Sequence, residues 1–261
     1  MARIALGIEY DGTEFVGWQI QQHGRSIEGV LAEAVSAVAD ERAIVHGSGR
    51  TDAGVHATGQ VAHFDAAARR TTRQWLLGIN SNLPADVAVR WVREVPDGFD
   101  ARRSALERRY RYSILQQASR PALARNRVWW LREPLDCAAM TAASLHLLGE
   151  HDFSAFRAAG CQAKSPMRRL IGVGVARRAR ADGVLIELEF RANAFLQHMV
   201  RNLVGLLAAI GRGDRAPNAA ADVLASRDRT AGDVAAPPGG LALIEVLYPP
   251  HYSLPRAEDA R

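Results

Sequence analysis

Cysteine is scarce in this chain of 261 residues, which contains only Cys137 and Cys161. Neither belongs to a C-x-x-C pair, so the sequence argues against a disulfide-stapled scaffold and against a zinc site. We therefore expect no bound metal and a reducing compartment, the cytoplasm.

Long hydrophobic runs are also missing. No stretch of about 18 consecutive apolar residues occurs, as a membrane-spanning helix would need. The first residues lack the charged and apolar regions of a signal peptide. Yet 48% of the residues are hydrophobic, enough to bury a sizeable core. The sequence predicts a globular protein that has no membrane partner.

Lysine is almost absent, because Lys164 is the only one among 33 lysines and arginines. The formal net charge of +5 therefore rests on arginine. The planar guanidinium group can bind two phosphate oxygens at once, and a basic balance suits a polyanionic partner. A genome of biased base composition would produce the same skew, so charge alone favours nucleic acid only mildly.

Hydrophobic periodicity predicts strands and helices in alternation, beginning with a strand over residues 4–10 and a helix capped by Ser26. Further strands are expected at 60–65, 87–95, around 110–114, 170–178, 184–191 and 241–247, and helices at 72–81, 137–148 (ending at Gly149), 194–210 and after Pro217. This order indicates an α/β (α+β) fold with mixed or mostly antiparallel sheets. A break near residues 96–106 divides the chain into an N-terminal half, 1–105, and a C-terminal half, 106–250, followed by a tail, 251–261.

The most informative segment is G-S-G-R-T-D-A-G-V-H-A at residues 47–57. Glycine lets the backbone turn sharply and lets a ligand approach closely, so we expect a polar, flexible loop that presents Asp52 at the surface. The neighbouring Arg50 favours the ionised form of Asp52, and an ionised carboxylate can act as a nucleophile or an electrostatic stabiliser. The same pattern equally suits a glycine-rich turn with a surface ion pair.

This segment resembles the signature of the TruA family of tRNA pseudouridine synthases, in which the aspartate of R-T-D-A-G-V-H is the catalytic nucleophile. Four other segments resemble the family in the same order: 10–19, 109–112, 151–156 and 193–202. One departure is Ser48, where the family often has alanine. The resemblance implies the pseudouridine synthase fold, in which two similar halves join their sheets under a central cleft, with helices on the outer faces.

The resemblance also implies an isomerase that converts uridine to pseudouridine in the anticodon stem-loop of tRNA, at positions 38, 39 and 40. The reaction moves the uracil attachment from N1 to C5 without redox change, so no cofactor is expected. Asp52 would be the nucleophile, acting either at C6 of the base or at the sugar. The resemblance further implies a homodimer.

Two more catalytic residues follow from the resemblance. Tyr110 would stack on the target base, although strand periodicity alone suits a buried core tyrosine, the role expected of Tyr112. Arg201 would pair with Asp52, although a lone arginine on a helix is more commonly solvated.

Contacts with RNA are expected from several basic side chains. Arg50 would bind the phosphate of the flipped nucleotide. His56 is either an RNA contact or a packing residue of the loop. The cluster of Arg157, Lys164 and Arg168 would line an RNA groove, although a run of charge is usually a solvated face.

Two other classes of function remain open from the residues. One is a non-catalytic RNA-binding protein or RNA chaperone, which would be expected to have lost at least one of the three catalytic residues. The other is an Asp-dependent hydrolase or glycosidase unrelated to RNA, and a glycosidase needs a second carboxylate facing the first. Asp11 and Asp65 have no motif context for that role.

Overall fold

The computed structural model describes residues 1–256. The strands are β1 Ala2–Tyr10, β2 His46–Gly47, β3 His56–Ala66, β4 Val87–Val95, β5 Glu107–Gln116, β6 Trp129–Leu131, β7 Gly149–Asp152, β8 Met167–Arg180, β9 Gly183–Ala192 and β10 Leu241–Leu247. The helices are α1 Ile27–Ala39, α2 Thr72–Asn82, α3 Cys137–Leu145, α4 Met199–Arg212 and α5 Ala219–Ser226. The mixed, mostly antiparallel α+β class predicted from the sequence is confirmed.

The chain forms two compact units. Unit 1 comprises Met1–Glu107 together with the chain from Leu243 onward, and unit 2 comprises Arg108–Ala242. The sequence-based division placed residues 106–250 together, whereas β10 returns the chain to unit 1. Of the predicted tail 251–261, residues 257–261 lie outside the described residues.

Unit 1 is built on an antiparallel sheet in which β1 lies between β4 and β3. Strand β2 pairs with β3, and β10 is the neighbour of β3 on the other side. Helix α1 begins after Ser26, whose side chain accepts a hydrogen bond from the Gly29 N–H, as the sequence predicts. A capping box between Thr71 and Gln74 fixes the start of α2. The core includes fully buried apolar side chains from the sheet and both helices: Leu6, Ile8, Leu31, Phe64, Trp75 and Ile79.

Unit 2 is built on an antiparallel sheet in the order β5, β9, β8, β7, with the short β6 parallel to β5. Alternation along β9 buries Ile186, Leu188 and Phe190, as period-2 patterning requires. Helix α4 is buried over most of its length, and α3 packs against α4 and β8. In the chain up to residue 256, no helix is both long enough and apolar enough to span a bilayer.

Two predicted helix bounds are wrong. Helix α4 begins at Met199 rather than 194, because His198 has a left-handed φ of 62° that a helix cannot contain. Helix α3 stops at Leu145, where the N–H groups of His146 and Leu147 bond to carbonyls only three residues back. Gly149, expected to end that helix, instead begins β7 with a φ of 107°.

His63 on β3 is a buried histidine, and its surroundings in unit 1 favour the neutral form. Its Nδ1 accepts the Ala101 N–H at 3.1 Å, and its ring lies edge-on to Phe99. Burial lowers the pKa of His63, outweighing the opposing charge of Asp100. Protonation would both charge a buried ring and remove the acceptor for Ala101.

We expect the stability of His63→Asn to depend less on pH, in the acid range, than the stability of the wild type. The pKa of His63 is lower in the folded protein than its ordinary value of about 6.5, so the unfolded chain takes up the proton first. The contribution of neutral His63 to the stability of the folded protein is therefore complete above about pH 6.5. It is lost as the pH falls through that value. Melting temperatures measured between about pH 7.5 and 5.5 should fall more steeply for the wild type, and parallel profiles would contradict this prediction.

Candidate active site

The loop of residues 47–57 runs beside the segment that follows β1. Asp52, at the centre of the loop, forms an isolated antiparallel bridge with Gly17. Next to this bridge, the Trp18 N–H donates to the Thr51 carbonyl at 3.0 Å. Two segments that are far apart in the sequence therefore hold each other through backbone hydrogen bonds.

Glycine is required where these two segments meet. A Cβ on Gly17 would lie 2.7 Å from the Thr51 carbonyl oxygen, and the φ of Gly17 is +112°. A Cβ on Gly12 would lie 2.0 Å from the Val55 carbonyl oxygen. The backbones approach too closely for any side chain at these positions.

A buried amide, Gln60 on β3, organises the N-terminal half of the loop. Its Oε1 accepts hydrogen bonds from Ser48 Oγ at 2.6 Å and from the Val61 N–H at 3.2 Å. Its Nε2 donates to the Gly49 carbonyl at 3.0 Å and to the Tyr10 hydroxyl at 3.4 Å. The side chain is fully buried, so these bonds replace the water that it gives up on folding.

Tyr10 extends this network to the residue next to Asp52. Its hydroxyl lies 2.8 Å from Thr51 Oγ1. Burial raises the pKa of Tyr10 to about 12, although hydrogen bonds with Thr51 and Gln60 partly oppose the rise. The phenol is therefore neutral at physiological pH and holds the loop without adding a charge.

The expectation of a flexible surface loop is right for only part of it. Arg50 and Ala53 are exposed and Asp52 is half-buried. Several other loop side chains are buried: Ser48, Thr51, Val55, His56 and Ala57. Polar side chains can be buried here because they satisfy one another and the adjacent backbone.

His56 lies at the end of the loop with 6% of its surface exposed. Its Nδ1 accepts a hydrogen bond from the Gly12 N–H at 3.1 Å. This bond ties the loop to the segment after β1. It supports the packing alternative for His56.

In unit 2, the two tyrosines of β5 have different surroundings. Tyr110 is 8% exposed and packs edge-to-face on Phe195, with ring centroids 5.1 Å apart. Tyr112 is fully buried, and its hydroxyl donates to the Pro237 carbonyl at 2.8 Å. Burial raises the pKa of Tyr112, as expected for a structural residue.

Arg201 on α4 is half-buried in unit 2. Its Nε donates to the Ala236 carbonyl at 2.8 Å, and its own carbonyl accepts the Ala236 N–H at 3.0 Å. The alternative of a solvated arginine therefore does not describe this residue.

The three remaining basic candidates lie in or near one loop of unit 2. Arg157 donates to the Ala163 carbonyl at 2.8 Å, and Arg168 donates to the Ser165 carbonyl at 2.9 Å. Lys164 is exposed. Through these hydrogen bonds, the two arginines stabilise the loop that carries this lysine.

Sequence reasoning missed Gln60, Tyr10, Thr51 and Gly17 as positioning residues. The available signal was a polar amide on β3 directly before the apolar residues Val61 and Ala62. Among residues 1–256, no three His, Cys, Asp or Glu side chains are grouped so that they could hold a metal ion.

We expect Gln60→Leu to lower the free energy of unfolding by about 1–3 kcal/mol, because the buried Ser48 hydroxyl and Val61 N–H lose their acceptor. Urea denaturation measures this difference. Gln21→Leu is the matched control, since Gln21 is exposed. Equal stability of the two variants would show that the network does not hold the loop.

The chain was compared with known proteins. A family model described as tRNA pseudouridine synthase matches residues 7–102 and 143–249. Proteins named tRNA pseudouridine synthase A are similar over nearly the whole length. The one from Coxiella burnetii is 48% identical over 98% of this chain and 97% of its own. The one from Alcanivorax borkumensis is 51% identical over 98% and 94%, and the one from Klebsiella pneumoniae is 47% identical over 98% and 93%.

The family model matches both the Asp52 loop and the segment after β1 that clamps it. It also matches α4, which carries Arg201. The matched residues span most of the chain, and the similar proteins are covered almost end to end. The chain therefore belongs to the tRNA pseudouridine synthase family, a family of isomerases that act on tRNA.

Proposed function

We propose that this chain isomerises uridine to pseudouridine in the anticodon stem-loop of tRNA, at positions 38, 39 and 40, with Asp52 as the nucleophile. The observation that carries the proposal is the clamped Asp52 loop. A half-buried carboxylate sits at the centre of a loop whose backbone is bridged to Gly17 and whose flanks are anchored by buried hydrogen bonds. Such a support holds a reacting group in place before substrate arrives.

The proposed reaction conserves every atom of the uridine. The N1–C1′ bond breaks and a C5–C1′ bond forms, while the proton on C5 leaves to a base and N1 gains a proton. Asp52 attacks either C6 of the base or the sugar at C1′, and leaves again before product release. No electron acceptor or donor is consumed.

Tyr110 is proposed to stack on the uracil and to assist loss of the C5 proton. An aromatic ring offers a flat face to any base, and a phenol offers a polar atom at its edge. The contact with Phe195 supports this role, because a ring held edge-to-face has a defined orientation.

Arg201 is proposed to contribute positive charge to the reaction, as the family resemblance implies. A hydrogen bond to the Ala236 carbonyl orients its guanidinium group. An oriented guanidinium loses less conformational entropy when it binds an anion.

Arg50 is proposed to bind a phosphate of the substrate, in keeping with its exposure two residues from Asp52. Lys164, Arg157 and Arg168 are proposed as a further RNA contact. The active form is proposed to be a cytoplasmic homodimer. Size-exclusion chromatography with light scattering tests the oligomeric state.

We expect Asp52→Asn to abolish the reaction without weakening tRNA binding, because the amide is a poor nucleophile of nearly the same shape. Release of tritium from tRNA carrying 5-tritiated uridine measures the reaction directly, since the C5 hydrogen is expelled. Asp97→Asn is the control, as Asp97 is exposed elsewhere in unit 1. Tight tRNA binding with no tritium release from the wild type would favour the non-catalytic RNA-binding alternative.

We expect Tyr110→Phe to lower the single-turnover rate by about 100-fold or more, the usual scale of lost acid–base assistance. Its affinity for tRNA should be unchanged, because the stacking ring remains. Tyr112→Phe is the matched control and should lose stability but not rate, since its hydroxyl bonds to Pro237. An unchanged rate in Tyr110→Phe would leave stacking as the only role of that ring.

A further inference from the structure

A cavity of about 230 Å³ opens in unit 1 beside the Asp52 loop. Three arginines line it, namely Arg50 from the loop and the consecutive pair Arg102 and Arg103. His46 and Gly49 complete the wall nearest the loop. The cavity is therefore rich in arginine, and part of its wall belongs to the loop that carries the proposed nucleophile, Asp52.

The turn that carries Arg102 and Arg103 is firmly anchored. Asp100 Oδ1 accepts the backbone N–H groups of both arginines, at 2.9 and 2.8 Å. Between them and Asp100, the fully buried Ala101 donates to His63 and accepts from the Tyr248 hydroxyl at 2.6 Å. The two exposed guanidinium groups therefore extend from a rigid base.

The carboxylates at the cavity already have donors. Asp100 bonds to the two arginine N–H groups, and Glu28 Oε2 accepts the Ile20 N–H at 3.1 Å. Burial opposes ionisation of Asp100, yet hydrogen bonds from Arg103 and Arg102 outweigh it and hold its pKa below the usual range. Both carboxylates count as charged, so three guanidinium groups face two carboxylates and the formal net charge of the lining is +1.

The wall at Gly49 is open. A Cβ on Gly49 would meet nothing within 4 Å, whereas a Cβ on Gly47 would lie 2.4 Å from the Trp18 ring. Steric contacts in the folded protein therefore require glycine at position 47 but not at position 49. Gly49 leaves its backbone accessible from the cavity, as a ligand in close contact with the loop would need.

We propose that this cavity binds a backbone phosphodiester of the RNA substrate, next to the target nucleotide, with Arg102 and Arg103 as its principal ligands. The inference rests on the proposed function and deepens it by assigning a phosphate subsite to the 100–104 turn. Arginine suits this ligand because two N–H groups can meet two phosphate oxygens. Base identity would not be read here, since phosphate contacts fix position and carry no sequence information.

The test compares the double variant Arg102→Ala/Arg103→Ala with Arg69→Ala/Arg70→Ala. Arg69 and Arg70 are also consecutive, exposed and in unit 1, so both variants lose the same charge. Binding of an unmodified tRNA transcript is measured across a range of salt concentrations. We expect Arg102→Ala/Arg103→Ala to raise Kd by tenfold or more and to reduce the salt slope by about 1 relative to the control.

Gly49→Ala is an independent probe that removes no charge. It should melt like the wild type and weaken tRNA binding, whereas Gly98→Ala, which also meets nothing within 4 Å, should change neither. If Arg102→Ala/Arg103→Ala melts early, Arg102→Lys/Arg103→Lys replaces it, with an intermediate Kd expected from retained charge and lost bidentate geometry.

Two results would overturn the phosphate subsite. One is an equal Kd and salt slope for the 102/103 and 69/70 variants, and the other is normal tRNA binding by Gly49→Ala. Failure of the proposed function is a different result, namely no tritium release from the wild type. The binding comparison still decides the subsite in that case, because it does not depend on turnover.

Discussion

The close approach of two backbones is the constraint on which the site in unit 1 depends. The segment after β1 and the Asp52 loop meet at Gly12 and Gly17, where a single added methyl group would collide with a carbonyl oxygen. This contact turns a glycine-rich loop, which would otherwise sample many conformations, into one bridged by hydrogen bonds on both sides of Asp52. The ordering entropy is thereby lost on folding and not when substrate binds.

Neutral buried groups hold the loop in place. Gln60 is an amide, and Tyr10 is a neutral phenol whose pKa burial raises further. Charged groups in the same positions would bring a large desolvation cost. The network therefore anchors the loop on the N-terminal side of Asp52 without placing a buried charge there.

Local patterns in the sequence predicted the elements well where one side of an element is buried. Alternation located β1 and β9, and Ser26 located the start of α1, because burial and capping act on neighbouring residues. Errors arose where the deciding cause was not local. The helix predicted from residue 194 starts five residues later, since the chain before it turns through a left-handed His198. The return of the chain to unit 1 at Leu243 depends on pairing with a strand about 180 residues earlier in the sequence, which periodicity does not register.

The sequence by itself determined the fold class, the family resemblance and the identity of Asp52 as the candidate nucleophile. The fold class follows from residue type and spacing, which act within a few residues along the chain, and the role of Asp52 is what the resemblance of its motif implies. Tertiary structure alone decided that the two motif segments clamp each other, that Gln60 and Tyr10 anchor the loop, and that Arg102 and Arg103 line a cavity beside it. The reason is physical: hydrogen bonds, close glycine contacts and shared cavities join residues through space, and a sequence records only their order.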